Sequence, residues 1–154
     1  MKLIYWTPFF LPEIGGMETL AAMLLPRLQE SGHQVVVVTS HGSHLAPDES
    51  DFKGIPIYRF HFRSMIQKGN MQGLILLRRR IVALKQSFQP DLVHLHVSDP
   101  SGYFHLNTAH AHPAATLVTF HQLWKSFGQT GGQDTLVGKL LRQSDWVTAV
   151  AGTI

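Results

Sequence analysis

The chain has 154 residues, 44% of them hydrophobic, which is one ordinary domain's length with enough apolar material for a packed core and too much for disorder. It contains no cysteine, so disulfide frameworks and thiolate metal sites are excluded, and a reducing compartment fits. The formal net charge is +3, no apolar run approaches the length of a membrane span, and the start is a poor signal peptide because Pro8 interrupts its apolar run.

Leu3 to Trp6 reads as a first strand, apolar without alternation, as expected for a strand buried on both faces. A loop with Pro8, Pro12 and the pair Gly15-Gly16 follows. A helix then runs from about Met17 to Ser31, with Met17, Leu20, Ala21, Leu24, Leu25 and Leu28 on one apolar face. Pro26 lies inside it and is expected to kink it, and Gly32 stops it. A glycine loop opening onto a helix N-terminus can bind anions through its free N–H groups, and two residues without Cβ let a phosphate or sugar approach. The same spacing also fits a plain strand-to-helix turn.

Val35 to Thr39 has the composition of a central parallel strand. Ser40 to Gly54 is polar and reads as a loop, Ile55 to Phe60 as a third strand, and His61 to Asn70 as a connection. Gln72 to Phe88 is a helix with Leu74, Leu77, Ile81, Leu84 and Phe88 inward. Asp91 to Val97 is a fourth strand. Asp99 caps a third helix reaching about Ala111, with Pro100 at its first position. Thr116 to His121 is a fifth strand. Gly131-Gly132 closes a loop, Asp134 caps a short helix with Leu136, Val137, Leu140 and Leu141, and Trp146 to Val150 is a sixth strand. This alternation predicts an α/β fold: a three-layer Rossmann-like sandwich with a mostly parallel sheet and ligands at the carboxyl ends of its strands.

A dinucleotide site needs G-x-G-x-x-G directly after the first strand and a carboxylate ending the second. Here the glycines are adjacent and distant, and the second strand ends Thr39-Ser40-His41. No P-loop occurs. Of the ten histidines, His94 and His96 share one strand face, but His105, His110 and His112 are not spaced to complete a metal site with them, so no metal is expected. His121 ends a strand at the edge where such sheets bind ligands, and a histidine there can donate or accept a proton near neutral pH.

Charge is unevenly placed. Between Asp51 and Asp91 there are eight of the thirteen basic residues and no acid: Lys53, Arg59, Arg63, Lys68, Arg78, Arg79, Arg80 and Lys85. With Phe60, Phe62, Met65 and Ile66 as apolar wedges, this interval suits an anionic membrane surface. The competing reading is a solvated face with those apolar residues tucked against the helix at 72–88.

Four motifs in order carry a family resemblance. T-P-x-x-x-P-x-x-G-G-M-E at Thr7 to Glu18, P-D-L-V-H-L-H at Pro90 to His96, L-V-T-F-H at Leu117 to His121 and S-D-W-V-T-A-V at Ser144 to Val150 together resemble glycosyltransferase family four, retaining nucleotide-sugar transferases of GT-B fold. The resemblance implies that His121 contacts the transferred sugar as the catalytic-cleft residue, and that Gly15, Gly16, Glu18 and His96 bind substrate. Glu18 has a plainer reading as a dipole-complementing acid. The implied donor is a nucleotide-diphosphate sugar, with no other cofactor. The implied acceptor is a carbohydrate or lipid-linked hydroxyl, with no role for nucleic acid. The family's serine after the last strand is Ala151 here, and its second lobe, with paired glutamates, is not found. Residues 1–154 are therefore expected to be a single acceptor-side lobe, inactive alone and cytoplasmic, peripheral at the inner membrane face. The alternative is a non-catalytic sugar- or nucleotide-binding module of the same fold.

Overall fold

The computed structural model describes residues 1–97, 100–121 and 134–149. Asp99, Gly131, Gly132, Val150 and Ala151 lie outside the described residues. The elements in order are β1 (Lys2–Thr7), α1 (Gly16–Glu30), β2 (Gln34–Ser40), β3 (Glu49–Phe52), β4 (Ile55–Phe60), α2 (Phe62–Lys68), α3 (Met71–Phe88), β5 (Leu92–Val97), α4 (Gly102–Asn107), β6 (Ala115–Phe120), α5 (Leu136–Gln143) and β7 (Trp146–Ala149), with a 3-10 turn at Ala109–Ala111.

The strands form one seven-stranded sheet in the order β3-β4-β2-β1-β5-β6-β7. Every pairing is parallel except β3 with β4. The order reverses at β1, whose neighbours are β2 and β5, so a crevice opens at their carboxyl ends.

Alternation along each strand divides the core. Ile4, Trp6, Val36, Val38, Val93, Leu95, Val118 and Phe120 face α3, α4 and α5. Leu3, Tyr5, Val35, Val37, Ile55 and Ile57 face α1 together with Phe10. The three-layer reading is correct.

Several local expectations change. β3 falls in the span read as a loop. It is an edge strand with no apolar run, and it pairs antiparallel with β4 through a tight turn in which Lys53 and Gly54 both have positive φ. The supposed connection at 61–70 contains α2, organised by Phe62, which is fully buried between the rings of Trp6, Phe60 and Phe104. The inward face of α1 is narrower than expected. Ala21 and Leu25 are buried, whereas Leu20 and Leu24 are exposed. Pro26 lies inside the helix, as its place in the sequence implied. Thr135 rather than Asp134 caps α5, its hydroxyl accepting from Gly138 N at 3.1 Å.

Candidate functional site

The site is built at the carboxyl ends of β1, β5 and β6. Gly15 is the N-cap of α1, and no side chain caps the helix there, so first-turn N–H groups stay available to a ligand. Neither glycine has a positive φ, so their value lies in space rather than backbone freedom. A Cβ on Gly15 would collide with the Glu18 carboxylate. A Cβ on Gly16 would meet nothing within 4 Å, so the approach to the backbone is open there.

Glu18 is only 8% exposed, which is more than dipole complementarity on a surface helix requires. Its charge reaches two site groups. It opposes the effect of burial on His121 and adds to the burial that pushes the Tyr5 hydroxyl well above its usual range.

In the β5–β6 register His96 lies opposite Thr119, so His121, two residues further on, sits just past the strand ends. His96 is 4% exposed. It is almost wholly enclosed by its neighbours. Its Nδ1 lies 2.6 Å from His121 Nε2, with the rings of Tyr5 and His94 packed at 4.4 and 4.1 Å. His94 Nε2 reaches Thr119 Oγ1 at 2.8 Å, which in turn reaches Thr148 Oγ1 at 2.7 Å.

Burial selects the tautomers. His96 Nε2 is buried with no partner among the described residues. An orphaned N–H costs more than an orphaned lone pair, so Nε2 is the bare nitrogen and Nδ1–H donates to His121 Nε2. His121 then carries its own proton on Nδ1 and can donate it to a hydroxyl.

All three imidazoles are held neutral. Burial, reinforced by His121, takes His94 down to about 4. Burial, then His94 and His121, takes His96 to about 3. Burial lowers His121 as well. Burial, opposed by the charge on Glu18, thus favours the neutral ring at His121.

Of the residues singled out in the sequence, Gly15, Glu18, His96 and His121 converge on this corner, with Gly16 at its open side. Tyr5 and Thr119 were missed, and His94 was singled out with His96 only as sharing its strand face. An aromatic in an apolar strand reads as core, and a cross-strand polar ladder is visible only once the parallel register is known.

The basic interval does not form one face. Arg59 is 4% exposed and donates to the carbonyls of Pro47 and Leu11 and to Ser50 Oγ. Lys85 is 2% exposed, with Nζ 3.3 Å from both His105 Nδ1 and the His105 carbonyl. Arg80 pairs with Asp48 and Glu49. Phe60 and Phe62 are buried and cannot act as wedges. Among the described residues no helix is long and apolar enough to cross a membrane.

The fold has counterparts among known proteins. The chain is 26% identical over 135 residues to a GDP-mannose-dependent alpha-mannosyltransferase of Mycolicibacterium smegmatis, covering 86% of this chain and 35% of that protein. Its fold is similar to that of a sucrose-phosphate synthase from Thermosynechococcus elongatus, with TM-score 0.70, 15% identity and coverage of 95% of this chain and 41% of the other. It is also similar to Acinetobacter baumannii MurG, with TM-score 0.53, 12% identity and coverage of 99% and 42%. The chain thus spans well under half the length of each. The profile of Glycosyltransferase Family 4 matches residues 14–154, from the Gly-Gly loop through the last strand, and the chain belongs to that family, as an α/β domain with the fold of a GT-B lobe.

Proposed function

We propose that this chain is the acceptor-side lobe of a transferase that moves a sugar from a nucleotide-diphosphate sugar to an acceptor hydroxyl with retention at the anomeric carbon. The observation that supports it most directly is the pairing of His96 with His121, which turns a strand-end histidine into a fixed neutral donor beside the open N-terminus of α1. A neutral donor suits a sugar hydroxyl. The first-turn N–H groups of α1, with Gly16 giving access, suit a phosphate oxygen, where the positive end of the helix opposes the growing charge of a leaving diphosphate. Glu18 holds the loop from behind and keeps Gly15 free of any side chain. In this reading residues 1–154 supply one wall of the cleft, and the chain alone does not turn over.

Titration of the chain with a panel of nucleotide sugars and sugar acceptors, followed by the imidazole resonances of His121, tests this reading. Binding that shifts those resonances and is lost in His121→Ala supports it. Saturable binding that leaves them unmoved, or turnover by the chain alone above background, overturns it. In a transfer-competent protein carrying this lobe, His121→Ala should lower turnover by ~10²–10⁴-fold, with the thermal midpoint nearly unchanged.

We also infer that an anionic membrane leaflet is the surface on which the acceptor is met, through only part of the basic interval, on α2 and α3. Met71, Ile75 and Leu76 are 67%, 48% and 59% exposed on α3, and Ile66 is exposed on the adjoining α2. Arg63, Lys68, Arg78 and Arg79 are exposed around them. Four cations at about 1 kcal/mol each give roughly 4 kcal/mol of salt-screened attraction, enough for reversible docking. Sedimentation with anionic vesicles should be lost on Arg78→Gln with Arg79→Gln and weakened by Leu76→Ser. Equal pelleting with neutral vesicles rules it out.

A further inference from the structure

A second cluster of titratable side chains lies at the far side of the same sheet edge. His41 follows β2 and His61 follows β4, and the His41 N–H donates to the Phe60 carbonyl at 3.1 Å, which holds the two strand ends side by side. Their imidazoles stack, with centroids 4.0 Å apart and planes 11° from parallel. Asp48, from the β2–β3 loop, puts Oδ1 2.9 Å from His41 Nε2. One nitrogen of each histidine and one oxygen of Asp48 all lie within 4.8 Å of one another. With three strand spacings between β2 and β6, His41 sits about 14 Å from the His121 corner, so this is a separate place.

Its surroundings give it the character of a built site. Asp48 Oδ2 accepts from Arg80 Nη1 at 3.1 Å, which leaves Oδ1 for the histidines. The loop bearing His41 and Asp48 is tied down a second time by Glu13, which accepts from the His44 backbone N–H at 2.8 Å and contacts His44 Nδ1 at 2.9 Å. The cluster opens on a cleft of about 530 Å³ lined by His41, His44, Asp48, His61, Arg63 and Gln67. Two imidazoles and a carboxylate with open positions form the donor set that first-row divalent cations of zinc type accept.

We propose that His41, Asp48 and His61 bind a zinc-type divalent cation, with the remaining coordination positions facing the cleft. Tetrahedral zinc with bonds of ~2.0–2.1 Å needs donors roughly 3.3 Å apart, so the cluster closes by about an ångström on binding. His61 makes that movement. The residue is exposed, its ring is held by stacking on His41, and its backbone carbonyl accepts from Met65 N and Ser64 Oγ. Arg80, which pairs with Asp48, and Arg63, which lines the cleft, oppose a cation electrostatically and weaken its binding.

The test uses the whole chain, freed of metal by chelator, with Zn²⁺ and Co²⁺ as probes. One equivalent of Zn²⁺ should bind, and at ~100 times Kd it should raise the thermal midpoint by about 5–10 °C. Co²⁺ should produce visible ligand-field bands, a signature that non-specific adsorption does not give. His61→Ala, at an exposed position, should leave the fold intact and weaken binding ~10–100-fold, as should Asp48→Asn, whereas His110→Gln, exposed elsewhere, should change nothing. No saturable binding at 100-fold excess of Zn²⁺ over protein, or binding that survives both His61→Ala and His41→Ala, overturns the proposal.

Discussion

Acidification from pH 7 to pH 5 should destabilise this protein more than its carboxylates can account for. Burial holds His94 at about 4, His96 at about 3 and His105 at about 3, each below the ordinary histidine value of 6.5. The sign follows from linkage. A group whose pKa is depressed by folding binds protons more readily when unfolded, so its contribution is complete above 6.5 and is lost as pH falls toward the folded value. At pH 5 one such group has cost about 2 kcal/mol. His94 and His96 touch and are counted as one to two groups, so with His105 the loss is roughly 4–6 kcal/mol, against a total of about 5–15 kcal/mol for a domain. At ~2–4 °C per kcal/mol, the thermal midpoint should fall by about 8–24 °C. Lys85 adds little in this window, because burial sets it at about 7 and below that it is charged in both states. Scanning calorimetry at half-unit steps measures the slope, and His105→Gln should flatten it by about a third. A midpoint that moves less than 3 °C between pH 7 and 5 would refute the claim that these rings are held neutral.

Lys85→Met should stabilise the chain at pH 6, where the native ammonium is buried at a cost, and destabilise it at pH 9.5, where the neutral amine's contacts with His105 are lost for ~1–3 kcal/mol each; a shift of one sign at both pH values would contradict this. Gly15→Ala should cost ~1–3 kcal/mol because the buried Glu18 must move, whereas Gly16→Ala should be neutral to favourable by ~0.5–1 kcal/mol and reduce only phosphate-ligand affinity, as denaturant melts and titration would report. Phe62→Ala should cost ~3–5 kcal/mol, since it empties the space between Trp6, Phe60 and Phe104; a loss below 1 kcal/mol would make α2 a surface appendage.

What could be read from the sequence was what rests on local pattern. The strands at 3–6, 35–39 and 55–60 are short apolar or β-branched runs between turn residues, and α3 announces itself through five apolar positions at helical spacing. β3 was missed because Glu49-Ser50-Asp51-Phe52 has almost no apolar content. It is a strand because the Lys53-Gly54 turn folds it onto β4, and because Asp51 accepts from Gly54 N at 2.9 Å. The α2 segment was missed because one residue, Phe62, supplies its buried anchor, and a single aromatic has no period. The distribution of cations misled for a related reason. Linear charge density says nothing about which residues a fold takes inside, and Arg59 and Lys85 are inside.

The two histidine clusters show how the same geometry yields different chemistry at two points of one sheet edge. A parallel sheet brings each strand's last residues to a common rim, so histidines at 41, 61, 96 and 121 meet in pairs although they are far apart in sequence. Near the switch point the pair is packed on Tyr5 and His94 and has no carboxylate in hydrogen-bonding contact among the described residues. Burial then decides, and the rings stay neutral and rigid, which suits the orientation of a hydroxyl. At the β2–β4 end the pair meets Asp48 and is open on one side. There the carboxylate decides, supplying the anionic ligand that a cation needs and that the first pair lacks. The site near the switch point should therefore respond to Tyr5→Phe through the position of His121 and be indifferent to zinc. The second should respond to zinc and be indifferent to Tyr5→Phe. Imidazole chemical shifts of His121 and His61, recorded in Tyr5→Phe with and without Zn²⁺, would separate the two. Movement of His121 on adding zinc would show that the rim acts as one site and that the division drawn from its geometry is wrong.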